Sequence, residues 1–374
     1  MTVDQQRERP TLAAVARHAG VSASTASLAF NNSGPVSAAT RERVLAAAAE
    51  LGYAGPDPRA RSLRRGRSGI IGAVLEETLS NAFRDPMNLL MLDGIADVTG
   101  PAGNSLLLLT ETAAAGVHVP GPQKAGPHAT GAPAAASPSS LIDAPVDAVV
   151  LFGCSTRVDE AVAIVRRRGI PVVAIEGRPM AGVLDVGLDN RVGSRILAQH
   201  LFDLGHRDVA LVTLELDQGR LPGALTPSRI DAGTSFTAVE RVRGVQEVYP
   251  GIGGYATLGS TIDEGIRAGH ALLDDPATRP TAIIAQSDLL AAGVVRAAAE
   301  LGLRVPDDLS VVGFDGVRVD DPLASDLTTM VQPAFEKGRA AGRGVLDLLA
   351  GGAPESVSFT SEFRRGSTTA PPRR

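Results

Sequence analysis

TLAAVARHAGVSASTASLAFNNSGPVSAATRERVLAAAAELGYAGPDPRARSL, from Thr11 to Leu63, is the stretch that decides how the rest of the chain is read. It begins with an apolar-periodic run, Leu12, Val15 and Ala16, and Thr11 stands where an N-cap belongs. His18-Ala19-Gly20 breaks that run and Val21-Ser22 begins a second. Two short helices joined by a tight glycine turn are the outline of a helix-turn-helix. Ser22 caps the second helix, whose first two turns present Ala23, Ser24, Thr25, Ser27 and Leu28. A third helix starts near Ser37, carries Val44, Leu45 and Ala48 inward, and ends at Leu51-Gly52. Periodicity alone fits both a DNA-reading head and any other small bundle of Ala-rich helices.

Charge separates this end from the remainder. Residues 1–67 hold ten arginines against five acids, an excess of five positive charges, whereas the whole chain carries a net charge of -5. A basic end on an acidic body confines phosphate attraction to one place. A solvated helix face gives the same small excess, so charge does not decide the matter either.

The chain of 374 residues is too long for one ordinary core and implies two or three domains. With 44% hydrophobic residues, 3% aromatics and no Trp, its cores are aliphatic. A single cysteine, Cys154, rules out an internal disulfide framework and fits a reducing compartment. The N-terminus is polar, and no run of about 18 apolar residues is available to span a bilayer. The expectation is a cytoplasmic protein without a membrane partner.

Residues 1–10 read as a disordered tail, 11–54 as the head, and 55–67 as linker and hinge. Asp57-Pro58 is an N-cap and first-turn pair for a short helix over Arg59–Arg64, whose arginines, Arg61 among them, repel one another until phosphates neutralise them. From Ser68 the pattern changes: GIIGAVLE, SLLLLT, DAVVLFG, PVVAIEG, DVALVTLE, TAIIAQ and SVVGFD are strand-like runs separated by amphipathic helices. That alternation predicts an α/β body of parallel sheets with helices on both faces, in two lobes over 68–366, with a ligand cleft at the carboxyl ends of the strands. Residues 112–136, dominated by Ala, Gly and Pro, read as a disordered insertion, and 367–374 as a loose tail.

Taken position by position, TLAAVARHAGVS, TAS, FN and VSAATRERVLAAAAELGY resemble the head of the lactose-repressor (LacI/GalR-type) family, and ARSL at Ala60–Leu63 resembles its hinge helix. The body is similar to the effector-binding core which that family shares with periplasmic sugar-binding proteins. VGLDN (Val186–Asn190), HLFDLGHRDVALVT (His200–Thr213), AELGLRVPDDLSVVGFDGV (Ala299–Val317) and LTTMVQP (Leu327–Pro333) carry that resemblance.

The resemblance implies a homodimeric transcriptional regulator, most simply a repressor, that binds an approximately palindromic double-stranded DNA operator and answers to a sugar-like effector, with no cofactor and no metal. In such a head the start of the second helix meets base edges while hydroxyls hold phosphates. Thr11, Ser22, Thr25, Ser27, Asn31 and Tyr53 then become positioning contacts, and Ala23, Ser24 and Leu28 face bases. The family commonly has bulky polar residues at the first two of these positions and Arg where Leu28 stands, so direct readout here is thin. Leu63 resembles the leucine that wedges into the minor groove. Between Tyr53 and Ala60 the chain is one residue longer than the family spacing.

For the effector, the resemblance implies Asn81, Phe83 and Asp85 after the first core strand, Arg241, Ser287-Asp288 where the family usually has Asn-Asp, and Asp315 in GFDG. A guanidinium that donates and a carboxylate that accepts suit vicinal hydroxyls. Each residue also has a plain structural reading: Asp288 as a helix cap, Arg241 as an exposed helical arginine, Asp315 as a turn residue, Phe83 as core. Two other functions are set against the regulator. A solute-binding protein is opposed by the basic head, and a nucleotide-dependent α/β enzyme by the lack of a Gly-x-Gly-x-x-Gly or Gly-Lys-Ser/Thr loop after a strand.

Overall fold

The computed structural model describes residues 10–31, 34–55, 66–75, 78–110, 140–152, 156–219 and 221–373. The tail before Pro10, the hinge with Arg61 and Leu63, the 112–136 insertion and Cys154 lie outside the described residues. The chain divides into two compact units, Met1–Gly69 and Ile70–Arg374.

The first unit is three helices, α1 (Leu12–His18), α2 (Ala23–Phe30) and α3 (Ala38–Leu51). Each start is a hydroxyl cap: Thr11 accepts from Ala14 N, Ser22 from Thr25 N and Ser37 from Thr40 N. Gly20 (φ 66°) makes the turn and Gly52 (φ 66°) ends α3 in the left-handed region, where a Cβ is penalised. Val15, Ala16, Ala26, Ala29, Val44, Ala47 and Ala48 form its core. Leu45, expected inside, is 46% exposed. The stripe through 44, 47 and 48 faces the partner helices, and Leu45 is rotated off it.

The second unit has two sheets. Strands β1 (Ile70–Leu75), β2 (Ser105–Thr110), β3 (Ala148–Phe152), β4 (Val172–Ile175) and β5 (Leu184–Leu188) build the first lobe. The second holds β6 (Val209–Thr213), β7 (Gly223–Ala224), β8 (Gly253–Ala256), β9 (Ala282–Ala285) and β10 (Ser310–Val312). β11 (Thr329–Val331) pairs antiparallel with β13 (Glu362–Arg364), and β12 (Val357–Phe359) returns to the first lobe. The first sheet runs β12-β5-β4-β3-β1-β2, all parallel; the second runs β10-β9-β6-β8-β7, with only β7 antiparallel. β1 alternates its two buried faces. Ile71, Ala73 and Leu75 join one core cluster, and Val74 packs with Val149 and Val165 in the other.

The longer helices of this unit are α4 (Pro86–Thr99), α5 (Val158–Arg168), α6 (Asn190–Asp203), α7 (Phe236–Gln246), α8 (Ile262–Leu273), α9 (Asp288–Glu300) and α10 (Ala334–Leu349). α4 and α10 lie so close that a Cβ on Gly338 would sit 2.2 Å from the Met91 carbonyl oxygen. The chain passes between the lobes at Asp189, at Gln332 and between β12 and β13. The crossings are tied together: Asp189 Oδ1 accepts from Ser361 N and Oγ, each at 2.8 Å. The C-terminal segment corrects the loose tail expected from 367 onward. Thr368 and Thr369 are buried, Val311 N donates to Thr368 O at 2.9 Å, and Ala370 O lies 2.9 Å from His206 Nε2. The segment covers β10, whose backbone groups would otherwise form an open sheet edge.

Candidate functional site

Both sheets place the carboxyl ends of their strands around one cavity of about 670 Å³. Leu75, Phe152 and Ile175 reach it from the ends of β1, β3 and β4; Leu214, Leu258 and Ser287 come from just beyond β6, β8 and β9. In each sheet the strand order reverses here, between β1 and β3 and between β6 and β9, so the adjoining loops splay apart and leave the crevice.

Arg241 and Asp315 hold its polar floor. Gly244, three residues on, lets α7 approach α6 so closely that a Cβ would stand 2.1 Å from Arg191 O, and this draws Arg241 inward to 2% exposure. Its Nε donates to Asn190 Oδ1 at 2.7 Å and its Nη1 to Gln286 O. The guanidinium lies 3.8 Å from the centroid of Phe314, 3.7 Å from Glu176 Oε2 and 3.8 Å from Asp315 Oδ1. Asp315 sits at φ 125°, held there by Asp315 N to Met330 O (2.8 Å) and Gln332 N to Asp315 O (3.1 Å). Gln332 Nε2 donates to Asp315 Oδ1 at 2.6 Å. Burial pushes the Asp315 carboxyl up to about 7; Arg241 and Gln332 pull it back, while the charges of Asp85 and Glu176 push it further. Burial also raises Glu176, but Lys337 and Arg241 outweigh it and hold that carboxylate below its ordinary value.

Asn81, Asp85, Arg241, Ser287 and Asp315 therefore line one cavity. Asp85 caps α4 by accepting from Met87 N at 2.9 Å. Ser287 caps α9, accepting from Leu290 N at 3.1 Å and from Ser260 Oγ at 2.8 Å. Phe83 and Asp288 are placed elsewhere. Phe83 is 51% exposed and outside the lining, whose aromatic is Phe152. Asp288 is fully buried, accepting from Thr329 Oγ1 at 2.6 Å and Val317 N at 2.9 Å, and burial raises its carboxyl well above the usual range. It fastens α9 to the loop after β10 and to β11, while the residue before it does the capping.

Glu176, Asn190, Gln332 and Lys337 escaped the sequence reading. The Glu176 signal was in view: a carboxylate closing the apolar strand VVAI has to find a partner. Lys337 gave none, because its helix is rich in Gly and Arg and resembles an exposed surface run.

In the head, Thr11, Ser22, Ala23, Ser24 and Asn31 are exposed, and Thr25, Ser27, Leu28 and Tyr53 are half-buried. Ser22 Oγ lies 2.8 Å from both Ser24 Oγ and Thr25 Oγ1, a hydroxyl cluster at the start of α2. Leu28 leans over Gly34, where a Cβ would come within 3.1 Å of its Cδ2. Tyr53 packs edge-on against Phe30, with 5.5 Å between centroids. Among the described residues no helix is long and apolar enough to cross a membrane, and no group of three or more His, Cys, Asp or Glu is placed to hold a metal.

The lacI family of bacterial regulatory proteins matches residues 11–55, and a periplasmic binding protein-like domain matches 198–369. The HTH-type transcriptional regulator Rv3575c of Mycobacterium tuberculosis is 33% identical over 375 residues, covering 98% of each chain. A solved LacI-family transcriptional regulator from Corynebacterium glutamicum is 29% identical with a TM-score of 0.68, over 97% of this chain and 100% of that one. A complex of the transcriptional regulator CelR with cellobiose is 27% identical with a TM-score of 0.60, over 96% of this chain and 100% of that one. A capped helix-turn-helix, a two-lobed body with its cavity at the strand ends, and full-length relatives of this kind place the chain in the lacI family, as a transcriptional regulator with a DNA-binding head and an effector-binding domain.

Proposed function

We propose that the chain is a cytoplasmic repressor that binds an approximately palindromic operator as a homodimer and releases or tightens its hold when a sugar or related polyhydroxylated metabolite fills the cavity. The observation that carries the ligand class is the Arg241–Asp315 pair. A donor fork and an acceptor lie 3.8 Å apart on the floor of a cavity whose wall includes the apolar side chains Leu75, Met87, Met91 and Leu214 among polar ones. Vicinal hydroxyls donate to one and accept from the other, and the carbon face of the ligand covers the wall. Asn81, Asp85 and Ser287 are the further polar contacts. CelR, seen with cellobiose, supports the class without naming the compound.

On the DNA side, the exposed start of α2 is read as the base-facing surface. Ala23, Ser24 and Leu28 are assigned to base edges, and Thr11, Ser22, Thr25, Ser27, Asn31 and Tyr53 to the backbone. Arg61 and Leu63 complete that reading as hinge contacts. Self-association is supported by four large apolar side chains exposed within twelve residues: Leu79, Phe83, Leu89 and Leu90, at 40–51%.

Thermal-shift screening of the purified chain against sugars and nucleosides tests the ligand class. An uncharged polyol at millimolar concentration is expected to raise the melting temperature and change the mobility shift on palindromic DNA. A panel in which only charged metabolites or compounds without neighbouring hydroxyls act refutes it.

A further inference from the structure

Six side chains form a closed ring beneath the cavity. Lys337 Nζ donates to Glu176 Oε1 and to Gln332 Oε1. Asn190 Nδ2 donates to Glu176 Oε2 at 2.7 Å, and Arg241 Nε donates to Asn190 Oδ1 at 2.7 Å. Gln332 Nε2 donates to Asp315 Oδ1 at 2.6 Å, and the Asp315–Arg241 contact of 3.8 Å closes the circuit. Glu176, Arg241, Gln332 and Asp315 line the cavity, whereas Lys337 is fully buried and is not part of the lining.

An ammonium group only donates. Lys337 therefore forces the carbonyl oxygen of Gln332 toward itself and the amide NH2 toward Asp315, which must accept. On the other arm it supplies the counter-charge for Glu176. Without it, that buried carboxylate would take Arg241, already 3.7 Å away, as its full ion-pair partner. The ring holds two cations and two carboxyl groups and is balanced once Asp315 is ionised. A charged ligand group set against the ring itself would find no spare counter-charge there.

We propose that Lys337 is the positioning residue that fixes which hydrogen-bonding faces Arg241 and Asp315 turn to the ligand, and that it thereby selects uncharged ligands with neighbouring hydroxyls. This rests on the reading of the cavity as a sugar site and names what tunes it. The charged groups bearing on Glu176 are Lys337 on α10, Arg241 on α7, Asp185 on β5 and Asp315 after β10. Removing the first leaves Arg241 as the one cation against Glu176, Asp185 and Asp315.

The test uses the full chain as wild type, Lys337→Met, and Lys337→Met with Glu176→Gln, titrated calorimetrically with ribose, glucose and cellobiose at pH 5.5 and 8. Melting curves are recorded across the same range. Relative to wild type at the same pH, Lys337→Met is expected to bind whichever sugar binds wild type about tenfold or more weakly at pH 8, the loss of one charge-assisted contact. The deficit shrinks at pH 5.5, where Glu176, without the Lys337 charge beside it, takes up a proton and frees Arg241. Its melting deficit likewise widens as pH rises above the ordinary carboxylate value, because a raised folded-state pKa costs stability from there upward. The double variant restores balance, with sugar affinity within about threefold of wild type and a deficit independent of pH, as a buried ion pair replaced by neutral groups often allows.

Equal binding by Lys337→Met and wild type, or a single-variant deficit flat with pH, overturns the proposal. If none of the three sugars binds wild type, the ligand class falls, and the melting profiles still decide the role of Lys337. Should Lys337→Met not fold, Gln332→Met reads the other arm: weaker sugar binding with its pH midpoint moved upward supports the ring, and unchanged binding refutes it.

Discussion

Asp315 concentrates the conflict between stability and binding in this molecule. Its backbone is in a region that side chains avoid, and its carboxyl is buried and raised to about 7. For an acid raised in the folded state, the fold binds the proton more tightly than the unfolded chain. Stability is then lost as pH climbs from the ordinary carboxylate range, near 4, through about 7. Asp315→Asn removes that penalty. The variant is expected to melt higher than wild type at pH 8 and to lose this advantage at pH 4.5, as followed by circular dichroism. The same change deletes an ionic acceptor, so sugar affinity should fall by about tenfold or more. A variant that melts lower at pH 8 would show that the carboxylate is paired better than its geometry implies. Wild-type sugar affinity should itself rise between pH 6 and 8 as Asp315 ionises, which calorimetric titration reads directly.

At the level of elements, two helix contacts depend on single atoms. Ser22 caps α2 and anchors the hydroxyl cluster that faces outward from the head. Ser22→Ala should destabilise the head by about 1 kcal/mol, the ordinary worth of an N-cap, and weaken operator binding beyond that. Scanning calorimetry on the full chain separates the two effects if the head melts on its own. α4 and α10 touch through Gly94 and Gly338, where added Cβ atoms would lie 2.1 Å and 2.2 Å from opposing carbonyl oxygens. Gly338→Ala must push the helices apart, and a loss of about 1–3 kcal/mol is expected from overpacking. Chemical denaturation measures it; a neutral or stabilising result would mean that the close approach is not needed. Close packing of this kind uses glycine in place of large side chains at the contact.

For the molecule as a whole, Leu79, Phe83, Leu89 and Leu90 lie exposed on the body. Leu89→Glu with Leu90→Glu is expected to shift sedimentation from dimer toward monomer and to weaken operator binding, with sugar affinity in the isolated protomer preserved. An unchanged sedimentation coefficient would place the interface elsewhere. The basic end gives a second molecular property: operator affinity should fall steeply between low and physiological salt, since phosphate neutralisation releases counterions.

The order of elements was legible from the chain alone, because caps, glycine stops and apolar periods are local. TLAAVARHAGVS encoded the first helix, its glycine turn and the cap of the second, and runs such as AVVLF and AIIA encoded their strands. Arg241 and Asp315 could be named from motif position, whereas Asp288 and Phe83, named the same way, went to a buried tie and to the surface. Thr368 closed a sheet edge that begins almost sixty residues earlier in sequence. The ring through Glu176, Lys337 and Gln332 joins residues up to 161 positions apart. The reason is physical. Local propensity depends on a few neighbours along the chain, but the charge that a buried group must find is set by whichever distant elements the fold brings to it.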